Sequence, residues 1–116
     1  MPSRTYIQMW VKLHELGKLP LSVATYHSLK KSALYLDEHP EVIEDVVNYR
    51  RKVLSIFERP LYITQIHMVI MEMVYVASRK GEKLHIYPGG RGQSTYARTI
   101  FQLACITALG ETQCDS

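Results

Sequence analysis

The chain has 116 residues, 47% of them hydrophobic and 22% charged, with a formal net charge of +3 and a pI near 8.9. One domain fits that length while two cores do not, and the balance excludes disorder, fibrous repeats and low complexity. So small a charge does not by itself call for nucleic acid.

Pro and Gly divide the chain into helical segments. Ser3 reads as the cap of a first helix ending near Leu16, with Tyr6, Met9, Trp10, Leu13 and Leu16 on one stripe. Gly17 suits its C-terminal end and Pro20 stops continuation. Ser22 reads as the cap of a second helix to about Glu38, with Tyr26, Leu29, Ala33 and Leu36 at helical spacing. Pro40 sets φ for the first turn of a third, ending near Arg59, whose stripe is Ile43, Val46, Val47, Val53, Leu54 and Phe57. Its acids come early and its bases late, which complements the macrodipole.

Pro60 is expected to open a fourth helix running to Lys80. Ile63, Ile66, Val69, Ile70, Met73 and Val76 among others leave it apolar nearly all round, the pattern of a bundle centre or a subunit interface. A homo-oligomer, first of all a dimer, is expected on that ground. Gly81 ends the helix, Leu84 to Tyr87 is β-prone, and a last helix is expected from Ser94 to Leu109, before a polar tail at 111–116. The sum is a mainly α single domain over 1–116: a compact bundle of about five helices with at most one short strand near residues 84–87.

Two cysteines, Cys105 and Cys114, are too few for a disulfide scaffold and lack the spacing of a zinc site. The N-terminus has no apolar core of signal-peptide length. The most apolar stretch, 61–77, contains Thr64, Gln65, His67 and Glu72 and is too polar to span a bilayer. A cytoplasmic protein without membrane contact is expected.

The segment with chemical content is Gly89-Gly90-Arg91-Gly92-Gln93-Ser94-Thr95, between the strand-like run and the last helix. Glycines let backbone N–H groups approach a ligand, and a helix start adds unpaired donors and partial positive charge. Ser94 and Thr95 add hydroxyls, and Arg91 a two-pronged fork for phosphate. Residues 79–98 hold five bases and one acid, a local +4 to which Lys83 and Arg98 contribute. Tyr87 or Tyr96 is placed to stack on a base. The candidate ligand-binding residues are therefore Lys83, Tyr87, Gly89, Gly90, Arg91, Gly92, Ser94, Thr95 and Arg98.

This loop resembles the Walker A loop of P-loop NTPases and of the packaging ATPases of phages. The resemblance covers about ten residues and is incomplete: Gln93-Ser94-Thr95 stands where Gly-Lys-Ser/Thr belongs, one residue short, and the phosphate-reaching lysine is missing. Binding without hydrolysis is the consequence, so no enzyme, no metal and no cofactor is expected. The competing reading makes the loop a tight connection with Ser94 as N-cap.

Other residues are assigned plainer roles. His14, His27, His39, His67 and His85 show no metal-ligand spacing, and His67 reads as a core or interface histidine with one ring nitrogen satisfied. Glu72 has no partner at helical spacing. Arg50, Arg51 and Lys52 read as a solvated helix face. Three functions follow: a non-catalytic module capturing a phosphate-bearing, nucleotide-like ligand at 89–95; a protein-interaction module, such as a phage-type inhibitor or adaptor, gripping through its helices and Tyr6, Tyr26, Tyr35, Tyr49, Tyr62 and Tyr75; and a helical nucleic-acid binder using Lys30, Lys31, Arg50, Arg51 and Lys52.

Overall fold

The structure is a computed structural model that describes residues 5–56 and 64–82. Four helices are found there and no strand: α1 (Tyr6–Glu15), α2 (Val23–Glu38), α3 (Glu41–Ser55) and α4 (Gln65–Lys80). The expected fifth helix at 94–109, the strand at 84–87 and the tail lie outside the described residues.

Local chemistry fixes the ends. α1 is capped by Thr5, whose hydroxyl accepts the Gln8 N–H at 3.2 Å, two positions after the expected Ser3. At its other end Gly17 has φ +74°, with Gly17 N–H bonded to the His14 carbonyl and Lys18 N–H to that of Leu13. That is a Schellman motif, and it satisfies carbonyls that the helix leaves unpaired. Ser22 caps α2 as expected, accepting the Thr25 N–H at 3.2 Å. α3 ends at Ser55, before the expected Arg59. α4 begins at Gln65 instead of Pro60, because Thr64 and His67 cap one another: the extended Thr64 donates its N–H to His67 Nδ1 at 3.1 Å. Gly81, at φ +73°, closes α4 with the same pair of bonds that closes α1.

α4 is the centre of the bundle and packs against α1, α2 and α3. Val69, Ile70, Met71, Met73, Val74, Val76 and Ala77 are all buried within the one chain. Much of the apolar surface that argued for a second copy is thus covered within the chain, while Ile66 and Met68 stay partly exposed. Leu29, Ala33 and Leu36 of α2 meet Val69, Met73 and Val76 in the main core.

The α1 stripe is rotated from its expected phase, and the α3 stripe holds at Val46, Val47 and Val53 but is widened. In α1 the buried residues are Ile7 and Val11, with Tyr6 and Trp10 packed at the flanks. Leu16 is 57% exposed, because it follows the last helical turn. In α3 the buried face is Val42, Val46, Val47, Tyr49 and Val53, while Ile43 and Leu54 are only partly covered. A stripe wider than two positions per turn lets either phase satisfy the sequence pattern, and the packing partner decides.

Candidate functional site

The residues expected to hold a ligand, Lys83, Tyr87, Gly89, Gly90, Arg91, Gly92, Ser94, Thr95 and Arg98, lie outside the described residues. The same holds for His85, Cys105 and Cys114. The basic window is described only at its start, where α4 ends. There Arg79 donates to Asp45 Oδ2 at 2.7 Å and to the Tyr75 hydroxyl at 3.1 Å, on the α3 side. Lys80 lies 3.3 Å from Glu82 and 5.8 Å from the Tyr35 ring centre. Two cations of the +4 window are therefore engaged within the fold.

A pocket of about 110 Å³ opens between α2 and this end of α4. Ser28, Lys31 and Ser32 line it from α2, and Lys80 and Glu82 from the α4 end. Met73, Val76 and Ala77 form the apolar part. Ser28 and Ser32 stand four residues apart, so one face of the helix presents both hydroxyls. Sequence reasoning missed this set; its only signal was a pair of serines at helical spacing beside the Leu29, Ala33 and Leu36 stripe.

The most heavily constrained polar group is Glu72, which is 0% exposed in the middle of α4. Its Oε1 accepts the Ile7 N–H at 2.9 Å, and the Tyr6 N–H also bonds the carboxylate. These are first-turn donors of α1 with no intrahelical partner, so Glu72 caps that helix from across the bundle. Its Oε2 takes a hydrogen bond from Arg50 Nη1 at 2.5 Å, and the Arg50 guanidinium lies 4.9 Å from the Tyr6 ring centre. Burial pushes the Glu72 carboxyl above its ordinary value, against the pull of the Ile7 and Tyr6 N–H groups and Arg50. The carboxylate without a visible partner thus has one 22 residues away. Arg50 accordingly leaves the solvated face expected of residues 50–52, while Arg51 and Lys52 stay exposed. A carboxylate wholly covered and bonded to three donors is a structural anchor, since no substrate reaches it.

The other flagged side chains are also held internally. Tyr26 donates to Glu15 Oε2 at 2.5 Å and Lys30 at 2.9 Å, which together hold that carboxyl below its usual range, Tyr26 most strongly. Tyr49 and Tyr75 pack ring to ring, with centres 5.1 Å apart. Tyr35 packs on His39 in the same way, with 4.5 Å between ring centres. His14 bonds the Leu19 carbonyl at 2.9 Å. His67 is buried, and desolvation lowers its pKa. Its Nδ1 accepts from Thr64, so Nε2 carries the proton, and that buried nitrogen has no hydrogen-bond partner among the described residues. Among those residues no three His, Cys, Asp or Glu gather as a metal site, and no helix is long and apolar enough to cross a membrane. Comparison with protein-family models, with curated proteins and with solved structures finds no match for this chain.

Proposed function

We propose that the protein is a non-catalytic module that captures a phosphate-bearing, nucleotide-like ligand at the glycine-rich loop 89–95, with Arg91 as the side-chain clamp and Lys83 and Arg98 adding field. The observation that carries this reading is the loop itself: three glycines in four positions, an arginine and two hydroxyl residues ahead of a helix-forming run. Contacts of the described helices weigh against the two other readings. Lys30 is paired with Glu15 and Arg50 with Glu72, so two of the five cations of a nucleic-acid face serve the fold. Tyr6, Tyr26, Tyr35, Tyr49 and Tyr75 are engaged with neighbours of the same chain, which weakens the case for a tyrosine-led protein interface.

The missing Walker lysine leaves binding intact and removes the group that stabilises phosphoryl transfer, so turnover is expected to be negligible. A thermal-shift panel of nucleotides tests the reading. One ligand that raises the midpoint by several degrees supports it, since binding only the folded state stabilises by mass action. A flat response across the panel removes it.

A further inference from the structure

We propose that the pocket between α2 and α4 is a second, independent site, for a tetrahedral oxyanion: the phosphate or sulfate group of a small solute. Lys31 and Lys80 supply the positive charge, and Ser28 and Ser32 supply hydroxyl donors. Lys31 is exposed and makes no ion pair among the described residues. Ser32 is only 8% exposed, and its hydroxyl makes no hydrogen bond among those residues. Because Ser32 lines the pocket, that hydroxyl is available to donate to a guest there.

Size and donor count choose the ligand. The pocket holds about 110 Å³, against about 10–15 Å³ needed for one water on the same measure, so it admits an ion of a few heavy atoms. Two lysines and two serines line it from two helices, and the four oxygens of a tetrahedral ion can answer more of their donors than the two oxygens of a carboxylate. The end of α4 does not repel the guest strongly, because the Ala77 and Ser78 carbonyls are already bonded to the Glu82 and Gly81 N–H groups. Glu82 does compete, since it holds Lys80 at 3.3 Å. An entering oxyanion takes over that lysine and releases Glu82 to solvent. None of this depends on the loop 89–95.

The test is a titration of the ¹⁵N-labelled full chain with inorganic phosphate at constant ionic strength, following backbone amides at 28–32 and 76–82. Saturable shifts confined to those amides are expected, with sodium acetate binding more weakly. Lys31→Ala should weaken binding by about tenfold, the scale of one charge-assisted contact, with an unchanged helical spectrum. Glu82→Gln should tighten it, which a merely structural lysine pair would not do. Arg91→Ala should leave it unchanged, which separates this site from the loop. The proposal is overturned if chloride alone produces the same shifts, if acetate binds as tightly as phosphate, if Lys31→Ala or Glu82→Gln behaves as wild type, or if Arg91→Ala abolishes the shifts.

Discussion

Replacing Glu72 tests whether its oxygens or its charge hold α1 in place. Glu72→Leu leaves the Ile7 and Tyr6 N–H groups buried without an acceptor and strands the Arg50 guanidinium beside an apolar side chain. A buried unsatisfied donor costs about 1–3 kcal/mol, and breaking a buried pair from one side costs about 3–5 kcal/mol. These overlap, so a total of about 3–5 kcal/mol is expected for Glu72→Leu. Glu72→Gln keeps a carbonyl oxygen for the α1 donors and drops the desolvated charge. Because burial opposes ionisation here, the lost attraction to Arg50 is largely offset, and a cost within about 1 kcal/mol is expected at neutral pH. Adding Arg50→Met to Glu72→Leu should recover part of the loss, by removing the stranded cation. Urea unfolding followed by helical circular dichroism measures all three. A Glu72→Leu cost near that of a surface substitution would refute the anchor, and a Glu72→Gln cost equal to it would show that charge dominates.

Other outcomes follow from the same geometry. Because the Glu72 pKa is raised in the folded state, its contribution to stability is fully present below its unfolded value and declines as pH rises through the folded one. Wild type should therefore lose stability relative to Glu72→Gln over that window, as seen in paired melts, and parallel curves would contradict it. His67 has the opposite sign: its pKa is lowered, so acidification below about 6.5 should destabilise wild type more than His67→Gln in the same assay. Gly17→Ala and Gly81→Ala meet nothing within 4 Å but must hold φ of +74° and +73°, so each should cost about 1–2 kcal/mol in urea, with Asn milder. Thr5→Ala removes the α1 cap and should cost about 1 kcal/mol.

What the sequence made legible is what depends on near neighbours. The Gly17 and Gly81 terminators, the Ser22 cap and the buried α4 follow from residues within one or two turns, and each stands close to where the sequence places it. What it hid depends on residues far apart in the chain. Glu72 meets Arg50 across 22 residues and Ile7 across 65, so no spacing rule connects them. The pocket joins Lys31 to Lys80 for the same reason. The phase of the α1 stripe was also hidden, because Tyr6 and Trp10 are as apolar in pattern as Ile7 and Val11, and only α2 and α4 choose between the two faces. The start of α4 was missed because proline is a familiar helix opener, whereas a His67 side chain returning to Thr64 is a less familiar cap. The loop 89–95 lies outside the described residues, so its case rests on the sequence.

The central claim is that Arg91 clamps a phosphate-bearing ligand on that loop, and calorimetric titration of the best nucleotide into wild type and Arg91→Ala tests it most directly. The account predicts a saturable isotherm for wild type, weakened in the variant by about 1.5–3 kcal/mol, the scale of hydrogen bonds to a charged group, with the melting temperature unchanged. An isotherm that Arg91→Ala leaves unaltered would contradict it.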